Sequence, residues 1–300
     1  ISGTLQLDGG GTSDGSFTVA AGTTLQFGGG THTLSAASSV SGAGLVSLSA
    51  GTMTSAGAWS VTGTTRLVSG AANFNGAAMT TAILDVLGGT LGGTGLLTAT
   101  GTATWSGGNL SGGGGTTRVP SGATLAVSGS GTGRQLNNYA LELAGTGTWA
   151  TTTAIMNSGS GATLRVLAGG QLDVTGDFGI SYNQGGAVAR LVVLGTLRRT
   201  TSTGVVQFTM AADDSGTVDV QTGTLDLSGG GTSSAAFAVA AGATVEFGGG
   251  THNLAATSTI NGAGTVQVSA GTLSTGGGYA ITGTTQVSGG TFDYDGASGS

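Results

Sequence analysis

Two stretches, FGGGTHTL at residues 27–34 and FGGGTHNL at residues 247–254, carry both histidines of this 300-residue chain. A glycine-rich loop that ends in histidine offers two kinds of chemistry. Its backbone amides can cradle a phosphate, or its imidazole can ligate a metal. A phosphate loop needs a lysine, a Ser/Thr and a following helix, whereas FGGGTH has no lysine and leads into sequence rich in Gly, Thr and Ser, all poor helix formers. Zinc needs three or four ligands, and neither histidine has a His, Cys or carboxylate at ligand spacing. His32 and His252 are therefore read as inward or corner-facing side chains, hydrogen-bonded to a backbone carbonyl or a threonine, and no metal ligands are assigned.

Carboxylates are the next candidates. Asp293 and Asp295 stand two apart in FDYD, but the matching positions near the start of the chain are Asn73 and Asn75. Glycoside hydrolysis needs a paired acid and base, so a pair replaced by two amides in a sister repeat is a poor catalytic pair. Asp213 and Asp214 in AADDSG, or Asp293 and Asp295, have the oxygen chemistry for Ca2+ in a turn. GGGTSDGSF matches the tandem calcium-repeat pattern only loosely, so no cofactor is expected, and calcium is kept as the alternative. THT followed by TMT resembles an ice-binding array, but the series breaks at AAN, TLG and NLS.

The middle of the chain is less regular. GDFGISYNQGGAVARL and LRRTTSTGVVQFTMAADDSG are longer excursions, and five of the seven arginines lie between Arg134 and Arg199. Loops that protrude from a regular scaffold are where recognition usually sits. If this region has a binding site, its residues are Asp177, Tyr182, Arg198 and Arg199; tolerated insertion is the simpler explanation.

The elements that must position these residues follow from composition and repetition. The chain has 64 glycines, one proline, no cysteine and no lysine, with a net charge of −6. Apolar residues recur regularly, which argues against a flexible linker. The lack of basic patches argues against nucleic acid as a partner. No apolar run approaches the roughly 20 residues of a membrane span, so a soluble protein with no membrane insertion is expected. Ile1 is not an initiator methionine, and no basic region followed by an apolar stretch stands before the first repeat, so any export signal is expected to be removed or to lie outside this segment. The absence of cysteine fits a bacterial extracellular protein stabilised by repetition.

Residues 3–77 align without a gap to residues 223–297, and about 40 of 75 pairs are identical. Inside this long repeat runs a shorter one, seen in TLQFGGGTHTL, LVSLSAGTMTS, ILDVLGGTLGG and TATWSGGNLSG. Apolar pairs two apart, such as Leu25/Phe27, Val46/Leu48 and Leu84/Val86, put both members on one face of a strand. A unit of 20 to 25 residues cannot bury that face alone, and stacked units can. The expected fold is all-β: one continuous β-solenoid over residues 1–300, a parallel β-helix of about 13 coils with about three short strands each, irregular over 130–216, and right-handed by the usual preference. Column alignment places His32 with Leu5, Met53, Ala72, Leu91 and Leu110, and His252 with Leu225, Leu273 and Phe292, so the imidazole should rest against Met53 or Leu273 of the next coil.

GAGTVQVSAGTLSTGG, SGTVDVQTGTLDLSGGG and AVAAGATVEFGGGTHNL resemble the β-helical repeats of large bacterial surface proteins: autotransporter passengers, filamentous haemagglutinin-like adhesins and giant repetitive exoproteins. The likeness spans almost the whole chain and is one of repeat grammar. It implies secretion or display at the bacterial cell surface and a structural or adhesive role within a longer fibre or stalk. No catalytic motif carries over, so no enzymatic activity is expected. The expected partners are other copies or adjacent repeats end to end, and cell-surface glycans. The alternative is a carbohydrate-binding or polysaccharide-cleaving β-helix.

Overall fold

The computed structural model describes residues 3–130, 133–152 and 155–295. These contain strands, turns and no helix, hence none long and apolar enough to cross a membrane. The strands pair in parallel and stack as a β-solenoid of about 14 turns with three sheets per coil. The apolar pairs count one coil fewer because some coils fill an inward position with a polar residue, as Thr65 does beside Leu67. Contacts divide the chain into two compact units, residues 1–129 with 134–146 and residues 130–133 with 147–300. The irregular stretch 130–216 is described except at 131–132 and 153–154, and the last two residues of the repeat 223–297 lie outside the described chain.

In the first unit the alternation of the sequence becomes alternation of burial. Thr31–Leu34 reads exposed, buried, exposed, buried, with His32 and Leu34 inside. Its neighbour Thr52–Ser55 lies in register, and Ala71–Phe74 and Thr90–Gly92 follow. Thr31, Thr52, Ala71, Thr90 and Asn109 stand in one row across successive coils, next to the inward His32 column. Two of the three strands per coil run together in Ala58–Leu67, Met79–Val86 and Leu96–Trp105, which turn a corner without leaving the ladder. A register shift between Thr81 and Ile83 marks the bend, because an extra residue lets a strand turn while its flanks stay paired.

The second unit repeats the scheme. In ATVEFGGGTHNLAATSTING the strands are Thr244–Phe247, Thr251–Leu254 and Thr259–Gly262. Phe237, Phe247, Ile260, Val266 and Leu273 are all at most 1 % exposed. Aromatic rings stack from coil to coil along this core, with Trp149 on Phe178 at 5.1 Å and Phe178 edge-on to Phe208 at 6.1 Å.

Backbone spacing makes glycine necessary at the corners. Gly30 has φ +64°, and a Cβ there would lie 2.6 Å from the Gly10 nitrogen. At the matching corner Gly250 has φ +65°, and its Cβ would lie 2.6 Å from the Gly230 nitrogen. The obstacle is backbone of the preceding coil, about 4.8 Å away, and it cannot yield without breaking the ladder. Gly250→Ala is therefore expected to lower unfolding free energy by at least about 2 kcal/mol in denaturant titration. Alanine at exposed Gly242, which has similar φ but open space around it, should cost about half as much.

Candidate functional site

The FGGGTH loop is a corner followed by an inward slot. His32 Nε2 donates to the Gly29 carbonyl at 2.8 Å, and its ring stands edge-on to Phe27 at 5.1 Å. His252 repeats both contacts, with the Gly249 carbonyl at 3.0 Å and Phe247 at 5.0 Å. Met53 lies beside His32 and Leu273 beside His252, as the columns predict. The other neighbour differs from the column reading. Gly11 and Gly231 occupy it, while Leu5 and Leu225 pair with Leu25 and Val245 on another face. The excursion DGGGTS shifts the strand by several residues, which equal spacing from the apolar pair does not register, and the glycine leaves room for a ring. Burial lowers the pKa of His252 from its usual value, while the Gly249 and Leu227 backbone groups and the Asp226 charge oppose the shift.

Asp177, Tyr182, Arg198 and Arg199 do not converge on one groove. Arg198 and Arg199 are consecutive in the strand Thr196–Arg199, so they point to opposite faces. Arg198 faces outward and forms a two-pronged pair with Asp173 of the preceding coil, both bonds at 2.7 Å. Arg199 points inward, its side chain fully buried, and pairs with Asp177, whose side chain is 39 % exposed. Its guanidinium also donates to the Gly176 carbonyl at 2.9 Å and the Gly204 carbonyl at 3.2 Å. Ser202 Oγ donates to Asp177 at 2.5 Å. Between Arg199 and Ser202 sits Thr201 with φ 76°, a strained value for a β-branched residue. The clamp of Arg199, Asp177 and Ser202 holds this loop against the core. Tyr182 stands apart, its hydroxyl donating to the Gly186 carbonyl at 2.7 Å.

The same cross-coil logic governs three further arginines. Arg66 pairs with Asp85 at 2.9 Å, Arg118 with Glu142 at 2.6 Å, and Arg190 with Asp213. Arg134 turns inward, donates to the Ser128 carbonyl at 2.8 Å and lies over the Trp105 ring at 5.6 Å. Asp173 went unnoticed in the sequence, though QLDV and TLRR in successive coils carry opposite charges at one outward position.

A concavity of about 530 Å3 in the second unit is lined by Asp213, Asp214, Thr232, Ser233, Ser234 and Asn253, among others. Asp213 uses its carboxylate on Arg190 and on the backbone and hydroxyl of Thr232, each at 3.2 Å. Asp214 is only 4 % exposed; adjacent acids read as a solvated turn in sequence, and nothing in the residue types announces that one is buried. Among the described residues no three His, Cys, Asp or Glu side chains gather as a metal site. No protein-family model matches this chain, nor does any curated protein or solved structure.

Three substitutions test this geometry. Arg199→Ala should cost about 3–5 kcal/mol in denaturant titration, because it strips a buried cation from carbonyls and a carboxylate. Arg198→Ala, at a half-exposed pair, should cost under about 1 kcal/mol. His252→Leu should cost about 1 kcal/mol or less at pH 8. Because burial lowers the folded pKa, the stability that neutral His252 contributes is lost as pH falls below 6.5. The variant should therefore gain on the parent chain in melting temperature at pH 5.

Proposed function

We propose that this chain is a non-enzymatic structural or adhesive β-solenoid, a segment of a longer repetitive protein displayed outside the cell on a bacterial surface. The observation that carries the reading is the use of charge: Arg66, Arg118, Arg190, Arg198 and Arg199 each pair with an acid of a neighbouring coil. Ionisable groups spent on joining coils are unavailable as a catalytic set, which needs several of them converging on one point. Bacterial origin and secretion rest on the repeat grammar alone.

The partners proposed are further repeats or further copies, end to end. Leu5 is 56 % exposed, whereas its sequence counterpart Leu225 is buried beside Val206 of the preceding coil. Val287 is 49 % exposed, whereas its counterpart Leu67 is buried beside Val86. Each repeat thus shows, elsewhere in the chain, the kind of coil that covers such a surface: one with two inward apolar side chains. Open parallel edges favour head-to-tail association, which extends without closing.

Sedimentation velocity over a range of concentrations tests this. End-to-end association is expected, and Leu5→Asp with Val287→Asp should abolish it while leaving the circular dichroism spectrum unchanged. A chain that stays monomeric at the highest concentration overturns the assembly reading. Saturable glycan binding lost in Tyr182→Ala and Arg198→Ala would favour carbohydrate recognition instead. Release of reducing ends from a polysaccharide would overturn the non-enzymatic reading. Melting temperature should be the same in chelator and in millimolar Ca2+.

A further inference from the structure

Asp214 occupies a break in the ladder of the second unit. The strand Arg190–Val193 is paired in the next coil with Ala211 and Ala212, and the Asp213 and Ser215 amides still donate to the Leu191 and Val193 carbonyls at 2.9 Å. Beyond them the Val193 amide donates to Asp214 Oδ1 at 3.0 Å, so a side chain takes the place of a backbone carbonyl. On the far side the four-stranded sheet of Gly231–Ser233, Thr251–Leu254, Thr272–Thr275 and Thr291–Tyr294 begins. An isolated bridge between Asp214 and Ser233 joins it to this point: the Asp214 amide donates to the Thr232 carbonyl at 3.2 Å and the Ser234 amide to the Asp214 carbonyl at 2.7 Å, with the Ala212 amide on the Gly230 carbonyl at 2.8 Å beside them. The other carboxyl oxygen, Oδ2, is sealed from solvent and has no hydrogen-bond partner.

An anion in this position is poorly served, since one amide is too little to replace its hydration. Burial pushes the Asp214 carboxyl up to about 7, the Val193 amide opposes the shift, and neighbouring Asp213 adds to it. The charges that face it are few. Asp213 stands on its own element and Arg190, on the coil below, is engaged by Asp213. The coil above brings the hydroxyls of Thr232, Ser233 and Ser234, and the coil beyond brings the Asn253 amide, all without charge. His252, next to Asn253, is turned toward Phe247 and Gly249.

We propose that the Asp214 carboxyl is a proton-operated latch on this seam: neutral, it keeps the coil 211–216 closed on its neighbours; ionised, it favours an opening that widens the groove beside Ser233 and Asn253. The sign follows from linkage. An exposed carboxyl has its ordinary value, 3.8, so between about pH 4 and pH 7 the open state has lost the proton that the closed state still holds. Opening should therefore increase about tenfold per pH unit over that range and level off above pH 7.

Hydrogen exchange on the full chain, corrected for intrinsic rates, reads this at the Val193, Asp214 and Ser234 amides. Their protection is expected to fall about tenfold per pH unit from pH 4.5 to 7, while the Leu84–Val86 amides of the other unit show no such slope. Asp214→Asn, which mimics the neutral acid, should abolish the slope. Carbon NMR of the carboxyl in the unmodified chain gives a second reading that needs no variant, with a midpoint near 7 expected. A midpoint near 4, pH-independent protection at the seam, or an unchanged slope in Asp214→Asn would overturn the latch.

Discussion

Coils of this chain meet through parallel backbone hydrogen bonds, and the spacing those bonds impose, about 4.8 Å, governs everything else in the structure. At the corners it leaves no room for a Cβ between Gly30 and Gly10, or between Gly250 and Gly230. Along the strands it puts each inward side chain in contact with its counterpart one coil on, so Met53 must fit His32 and Leu273 must fit His252. Outside, it brings charges at one column position within pairing distance, as with Asp173 and Arg198.

Interruptions of the ladder therefore need repair from side chains. Arg134 caps the Ser128 carbonyl from inside, Arg199 gathers the Gly176 and Gly204 carbonyls beside the strained Thr201, and Asp214 receives the Val193 amide. All three are buried ionisable groups in a chain with few charges, and each sits where the coil departs from the common pattern. A backbone donor or acceptor removed from its ladder partner must find another, and a long or acidic side chain reaches where backbone cannot. Each of the three keeps one buried atom without a hydrogen-bond partner, Arg134 Nε, Arg199 Nε and Asp214 Oδ2; a guanidinium stays charged, whereas a carboxyl can take up a proton, which is why proton binding is the variable that matters at Asp214.

Parallel pairing was legible because the signal repeats. Leu25/Phe27, Val46/Leu48 and Val245/Phe247 carry a period of two, and FGGGTH returns with its corner and its histidine intact. The same regularity led the histidine columns astray at one place. Leu5 and Leu225 look like members because they follow GT, yet DGGGTS and SGGGTS insert a bend, and Gly11 and Gly231 take the position. Arg198 and Arg199 are candidates for one site because both lie in the irregular, arginine-rich middle of the chain, although neighbours in a strand point to opposite faces. Seeing which of them faces inward required the neighbouring coil.

Sequence alone determined that the chain stacks: short apolar alternations, glycine at recurring corners and a long internal repeat admit few solutions other than a β-solenoid with His32 and His252 inside. Only the tertiary structure decided which charges are buried and which are paired across coils. The reason is physical. Strand periodicity is local, written into residues two apart, whereas Arg199 meets Gly176 and Asp214 meets Val193, more than 20 positions away, and the lengths of the intervening loops set which residues arrive.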